Sequence, residues 1–254
     1  PEDCGFCAQS SHYSAKTASF PLVDESKLSK AEKQTKDNEA YSLGIVTSGK
    51  EPTKDELDKI CSYIKNMNVV EPHASLGILT EEKANALKKA GLKMYNHNLE
   101  TSRKFFPKVC STHGYDDRIK TIKIAKNYFK VCSGGVFGLG EDWSDRIEMA
   151  FTLKELDVDC IPLNFLNPVK GTPLEKQPLL KPFDILRIIA IFRFILPDKT
   201  LEIAGGREKN LRDIQSWMYY AGANASLIGN YLTTSGKEPK EDLQMIKDLG
   251  LSVE

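Results

Sequence analysis

An α/β architecture of parallel βα units is what this sequence predicts, on three observations. Short apolar runs alternate with helical patterns along the whole chain, the signature of a parallel sheet wrapped by helices. Seven of these runs qualify as strands: residues 43–47, 73–77, 92–97, 130–133, 160–165, 200–204 and 225–229. Capping and stop signals fall between them where helices need them. The chain starts at Pro1 without an initiator Met, so we expect an upstream segment, with room for a first strand or a targeting sequence. Eight parallel strands with outer helices close as a (β/α)8 barrel of the TIM type, whose chemistry sits at the C-terminal ends of the strands. One domain spanning residues 1–254, incomplete at its N-terminus, is the expectation.

Taken in order, residues 26–39 are very polar, with Leu28 and Ala31 as the clear apolar contacts. They predict a loosely packed first helix or an irregular loop. Thr53 and Glu56 form a capping box, after which Leu57, Ile60, Cys61, Ile64 and Met67 share a helical face. Thr80 caps the next helix, Glu81 and Glu82 suit its positive end, and Gly91 stands where a terminator belongs. Ile119, Ile122 and Ala125 mark one more helical face, and Ile147, Ala150 and Phe151 another. The apolar run 185–196 is interrupted by Arg187 and Arg193 and stopped by Pro197, so it reads as a buried helix. Leu211, Ile214 and Met218 predict a helix ending at Gly222, and a last helix starts near Pro239 with Leu243 and Ile246 inward.

Composition removes several function classes. The 35 basic and 35 acidic residues cancel, which gives no electrostatic footprint for nucleic acid or an anionic membrane. No stretch approaches the ~18 uninterrupted apolar residues of a membrane span. Six Cys in 254 residues, irregularly spaced, are too sparse for a disulfide scaffold, so metal or redox use in a reducing cytosol is expected.

Cys4-Gly5-Phe6-Cys7 places two thiols within reach of one metal or cluster. Alone, this spacing suits zinc, a redox pair or an iron–sulfur cluster. A zinc ribbon needs a second pair, which the sequence does not offer. The run from Pro1 to Tyr13, PEDCGFCAQSSHY, resembles the cluster loop of the biotin synthase family in the radical S-adenosylmethionine superfamily. That family's pattern has three Cys, with an aromatic before the third; the first would stand immediately before Pro1. The resemblance implies a [4Fe–4S] cluster held by three thiolates, Cys4 and Cys7 among them, with Phe6 beside the cofactor. The fourth iron is left open for S-adenosylmethionine, whose reductive cleavage gives a 5′-deoxyadenosyl radical.

The resemblance extends over nearly the whole chain. Tyr95-Asn96-His97-Asn98-Leu99-Glu100-Thr101-Ser102 is similar to the family's Y-N-H-N-[LI]-[DE]-T-S motif. It implies that Asn96 and Asn98 contact dethiobiotin and cofactor, and that Glu100 holds the cofactor ribose through paired hydroxyl donors. The run from Val131 to Glu141, VCSGGVFGLGE, resembles the family's Gly-rich loop, with Val136 at the cofactor and glycines allowing close backbone approach. Ile161-Pro162-Leu163-Asn164-Phe165 gives Asn164 a dethiobiotin role by the same likeness. Ala204-Gly205-Gly206-Arg207-Glu208, Ala221-Gly222-Ala223-Asn224 and Asn230-Tyr231-Leu232-Thr233-Thr234 complete it. The family further implies an electron donor such as flavodoxin or ferredoxin, a homodimer and a cytoplasmic location.

One feature departs from the family. Its members carry an auxiliary [2Fe–2S] cluster, held by three Cys and one Arg, that supplies sulfur. Aligned by motif, two of those Cys fall on Gly44 and His73, the third is retained as Cys132, and the Arg falls on Glu202. We therefore expect an auxiliary iron–sulfur group of a different type. Two-residue periodicity puts Cys160 on the face of Asn164, beside Cys132, and His73 offers an imidazole. The bland readings are a core or loop histidine for His73 and a buried residue for Cys160. Cys61 reads as a packing residue, Cys110 as a structural loop residue or a labile thiol, and His12 and His113 as loop hydrogen-bonders. The alternatives to sulfur insertion are a related radical enzyme, of the hydrogenase-maturase or methylornithine synthase type, and a non-catalytic metal-binding barrel.

Overall fold

In the computed structural model, which describes residues 2–15, 17, 20–231 and 235–253, the alternating pattern becomes one curled parallel sheet. Leu232, Thr233 and Thr234, which end the last motif, lie outside the described residues, as does Pro1. The elements are α1 (Glu25–Asp37), β1 (Ser42–Val46), α2 (Lys54–Asn66), β2 (Glu71–Ser75), α3 (Glu81–Ala90), β3 (Met94–Asn96), α4 (Tyr115–Lys126), β4 (Lys130–Cys132) and β5 (Gly135–Phe137). There follow α5 (Trp143–Glu155), β6 (Cys160–Phe165), α6 (Pro182–Ile195), β7 (Thr200–Ile203), α7 (Arg207–Leu211), α8 (Trp217–Tyr220), β8 (Ala225–Ser226) and α9 (Pro239–Asp248). Strand order is β1-β2-β3-β4-β6-β7-β8, with β5 also pairing β6. Each of these pairs is parallel. β1 and β8 end the sheet, so among the described residues it curls without closing on itself.

All seven expected strands are present. β4 and β5 divide one expected strand and its glycine loop, and the cause is steric. A Cβ on Gly134 would lie 2.0 Å from the Pro162 carbonyl oxygen, and one on Gly135 2.3 Å from that of Glu100. These glycines admit the backbones of two neighbouring segments, which is the close approach the sequence signalled, made here by the protein itself.

The helices follow their signals. Thr53 and Glu56 exchange bonds as a capping box, and Thr80 caps α3, which ends at Gly91 with φ of 105°. Three expectations are resolved or altered. Of the two readings of residues 26–39 the helix holds, as the regular α1 (Glu25–Asp37) N-capped by Asp24, and it is tied down because Glu32 turns inward to accept the amides of Asn68 and Val69. On α5, Arg146, Met149, Ala150 and Leu153 face inward, while Ile147 and Phe151 are exposed. The helix expected over Leu211 to Met218 is broken into short turns, because Arg212 takes a φ of 54°. Its inward residues Leu211 and Met218 are nonetheless buried.

The core lies between sheet and helices. Ile60, Ile64, Leu87, Ile122, Leu153 and Phe192 pack on Ala74, Tyr95, Val131, Leu163, Leu201 and Ile203, all at most 2% exposed. The opposite face of the sheet lines a cavity of about 1490 Å³.

Candidate active site

The cavity collects the inward side chains of the strands in layers. Register places Gly44, His73, Met94 and Lys130 at one level. Asn96, Cys132, Cys160 and Thr200 are level with one another, two residues further along β3 and β4. Beyond them lie Asn98, Glu100, Val136 and Asn164, which line the cavity together with Phe6 and Cys7 of the N-terminal loop.

That loop is held from several directions. The Gly5 amide donates to the Val109 carbonyl at 2.8 Å, and the Cys7 amide to that of Cys4 at 2.9 Å, so both thiols sit in one tight turn. The Asp3 carboxylate accepts from the amides of Ser111 and Thr112, from the Ser111 hydroxyl and from the Cys110 thiol. Burial opposes its charge, but these bonds outweigh it and hold the carboxyl well below the usual range. Phe6 and Val136 pack on a small apolar cluster of Phe105, Val109, Leu139 and Leu166.

Arg118 joins the loop to the strand-end motif. Its guanidinium donates to the Asn98 carbonyl at 2.8 Å, pairs with Glu100 at 3.4 Å and lies 3.9 Å from the Cys4 sulfur. Burial pushes the Glu100 carboxyl up, and Arg118 opposes that shift. Glu100 itself has a φ of 71°, in the left-handed region, where a non-glycine side chain costs of order 1–3 kcal/mol. That strain sits at a residue expected to meet the cofactor. Sequence reading missed Arg118. Its signal was a charged residue on the buried face of α4, three after Tyr115 and four before Ile122, both buried.

The asparagines divide by their bonding. Asn98 accepts from the Gly134 amide and donates to Glu100, and Asn164 bridges the Gly135 carbonyl and the Gly205 amide. Asn96 Oδ1 is buried without a partner, as are His97 Nε2, Arg118 Nε and Ser133 Oγ. Such orphans are rare in a folded core. The Asn96 oxygen lines the cavity, and an unmet acceptor there, with Cys7 of the two-thiol turn on the same wall, fits a polar ligand beside an iron–sulfur cluster.

Cys132 and Cys160 are brought together. They are register partners, and the neighbouring Cys160, with burial, pushes the Cys132 thiol up. Glu202, in the same neighbourhood, lines the cavity, and burial pushes its carboxyl up to about 7. His73 is not brought to this pair. It stands a layer away, bonded to Glu71 at 3.2 Å with its ring edge-on to Tyr41. Burial pushes the imidazole pKa down. Two adjoining thiols fit an iron–sulfur group better than the His73 layer does.

Comparison with known proteins agrees with this geometry. A model of the Radical SAM superfamily matches residues 1–153, and one described as Biotin and Thiamin Synthesis associated domain matches residues 162–252. A "Biotin synthase" of Geobacter sulfurreducens is 50% identical over 258 residues, covering 100% of this chain and 78% of that protein. A "Biotin synthase" of Carboxydothermus hydrogenoformans is 49% identical over 259 residues, covering 100% and 80%. Among solved structures, a methylornithine synthase superposes with a TM-score of 0.82 at 18% identity, covering 100% of this chain and 80% of that one. HydG, a maturase of the [FeFe]-hydrogenase, gives 0.80 at 17%, covering 99% and 60%. At such identities these two structures speak for the fold alone.

Proposed function

This chain belongs to the biotin synthase family of radical S-adenosylmethionine enzymes, and from that premise we propose that its cavity holds dethiobiotin between the cofactor and a sulfur-bearing thiol layer. The reaction is insertion of sulfur into dethiobiotin to form biotin. When bound, the [4Fe–4S] cluster and S-adenosylmethionine supply a 5′-deoxyadenosyl radical that takes hydrogen from unactivated carbon, and an auxiliary iron–sulfur group supplies the sulfur.

The protein's part is binding and orientation. Cys4 and Cys7 hold the cluster. Glu100, beside Arg118, accepts the ribose hydroxyls, and Phe6 and Val136 form the apolar wall beside the base. Asn98 ties this subsite to the glycine loop. Asn96 and Asn164 face the substrate, and the unpartnered Asn96 oxygen is a ready acceptor for a ureido N–H. Cys132 and Cys160 hold the auxiliary group.

One observation carries this reading: cluster loop, ribose acid, substrate asparagines and Cys160 all open onto a single cavity. The methylornithine synthase and maturase alternatives lose to it because their likeness lies in the fold, at 17–18% identity, whereas the biotin synthase likeness is 50% identity over the whole chain. One barrel domain over residues 1–254 is supported by a sheet that continues across the junction of the two family matches.

An electron donor such as flavodoxin or ferredoxin is part of the proposal, as are a cytoplasmic site and a homodimer. Six free thiols suit a reducing compartment, and no described helix is long and apolar enough to cross a membrane. For the dimer, α5, α6 and α8 pack side by side and expose Ile147, Phe151, Phe183, Phe194, Trp217 and Tyr220. The deciding experiment is anaerobic reconstitution of the full-length protein, then turnover with dethiobiotin, S-adenosylmethionine and reductant. Biotin and 5′-deoxyadenosine are the expected products. Release of 5′-deoxyadenosine without biotin, from protein carrying both iron–sulfur groups, would reject sulfur insertion.

A further inference from the structure

Outside the cavity, a second group of metal-ligating side chains gathers behind the cluster loop. Cys110, His113 and Glu2 each present one donor atom, and all three donors lie within 4.8 Å of one another. The Cys110 sulfur is 3.3 Å from His113 Nδ1, and the same nitrogen is 2.5 Å from Glu2 Oε2. We propose that these three residues form a binding site for a zinc-type divalent cation, which fastens the cluster loop to the loop after β3.

Three features favour a built site over a chance gathering of polar groups. First, the spacing Cys110-x-x-His113 brings a soft and a borderline donor to one point from a short loop. A tetrahedral zinc, with bonds of roughly 2.0–2.3 Å, separates its ligands by a little over 3 Å, and the Cys110–His113 separation is already there. Glu2 must draw back by less than an ångström, and its side chain, 21% exposed, has room to do so.

Second, the histidine is preset. Its side chain is 6% exposed and its ring stands edge-on to Phe106 at 5.6 Å, which aims Nδ1 at the sulfur and the carboxylate. Third, an outer set of bonds is in place. The Thr112 hydroxyl donates to the Glu2 carboxylate, and the amides of Ser111 and Thr112 donate to the Asp3 carboxylate, which fixes the short loop between Cys110 and His113. Orienting partners of this kind usually surround metal ligands. A thiolate with an imidazole and one carboxylate favours zinc or ferrous iron over magnesium or calcium, which take all-oxygen sets. The fourth position falls to water.

The site does not depend on the sulfur-insertion reading. It adjoins Cys4 through Glu2 and Asp3, so the cation would hold the segment that presents the cluster thiols. The test uses full-length protein with its iron–sulfur groups reconstituted without oxygen, given zinc chloride and desalted. Zinc, iron and sulfide per chain are measured together. About one tightly held zinc per chain is expected. Cys110→Ser and His113→Gln should each lose it while iron and sulfide stay constant, and Cys132→Ala should keep it. Thr112→Val, which leaves all three ligands, should weaken zinc by roughly 10–100-fold. X-ray absorption at the zinc edge should show one sulfur with nitrogen and oxygen neighbours. Failure of the wild-type protein to retain zinc overturns the proposal, as does retention by both Cys110→Ser and His113→Gln. Loss of iron together with zinc in Cys110→Ser also overturns it, because Cys110 would then serve the cluster. Release of 5′-deoxyadenosine reports separately on the radical chemistry.

Discussion

Replacing Arg118 by Met tests the link between the cluster loop and the ribose subsite. Met preserves much of the side-chain length but removes three interactions: the pair with Glu100, the bond to the Asn98 carbonyl and the approach to the Cys4 sulfur. Breaking a buried pair from one side costs about 3–5 kcal/mol, because the remaining charge is left without compensation. Protonation sets an upper limit. Neutralising a carboxyl of ordinary pKa 4.5 at about pH 7.5 costs about 4 kcal/mol, after which no buried charge remains. The expected loss at that pH is therefore about 3–4 kcal/mol, or roughly 6–16 °C in Tm for a domain of this size. The sign of its pH dependence is fixed by burial. Glu100 has a raised pKa in the folded state, so its charge destabilises above that value and the penalty fades as the pH drops towards the unfolded value. At about pH 5.5 the protonation limit falls to about 1.4 kcal/mol, and most of the Tm difference should disappear. Adding Glu100→Gln should recover all but about 1 kcal/mol at the higher pH. Thermal melts of the anaerobic holoprotein at both pH values measure this. An Arg118→Met deficit equal at the two pH values, or a double variant no more stable than the single one, would refute the assigned role.

Four further outcomes are expected. Cys132→Ala and Cys160→Ala should each erase the auxiliary iron signal in Mössbauer spectra and stop biotin formation, while 5′-deoxyadenosine release continues. If both variants keep the signal, the thiol layer is not the ligand set. Asn96→Leu should weaken equilibrium binding of dethiobiotin by ~10-fold, the value of one hydrogen bond at 1.4 kcal/mol, with cofactor binding unchanged; equal affinity for dethiobiotin counts against its role. Gly135→Ala drives a methyl group into the Glu100 carbonyl and should cost ~1–3 kcal/mol in a melt, together with S-adenosylmethionine affinity. Asp242→Asn removes the buried charge that pairs with Arg207 and should cost ~3–5 kcal/mol. Hydrogen exchange in α9 should then rise ahead of exchange in α2 or α4, and uniform protection would show that the pair does not anchor this helix.

Much of the fold was legible because its signals are local. Strand cores follow from apolar runs, and the caps at Thr53 and Thr80 depend on residues three apart. Two of the misreadings share a cause: partners distant in sequence. Nothing within residues 26–39 announces that Glu32 will cap the amides of Asn68 and Val69. Ile147 and Phe151 fit a helical face, but neighbouring helices decide which face of α5 turns inward. At the site, the motif resemblance led to Asn96, Asn98, Glu100 and Asn164, and two-residue periodicity led to Cys160. What it could not supply was depth. His73 and Cys132 are both inward, yet they belong to different layers, and that depends on sheet register. Cys110, His113 and Glu2 escaped because a loop contact across more than a hundred residues has no periodicity to read.

The layer order also explains how the auxiliary ligands can change while the substrate motifs stay. β3 and the residue pair after it present Met94, Asn96 and Asn98 to the cavity in succession, each roughly 6.6 Å further along, since a strand rises about 3.3 Å per residue. Asn98 is tied to Glu100 and the glycine loop, on the side of the cluster. Asn96 is level with Cys132 and Cys160. In the proposed site, a substrate held by Asn96 and Asn164 would have the radical source on one side and the sulfur layer on the other, about one layer apart. This separation is set by the backbone register of β3, β4 and β6, not by the identity of the ligands at Gly44, His73 or Glu202. Substitution at those three positions alters what the thiol layer can hold but leaves the substrate's distance from the cofactor unchanged. A different sulfur-bearing group can therefore occupy the layer without rebuilding the dethiobiotin subsite.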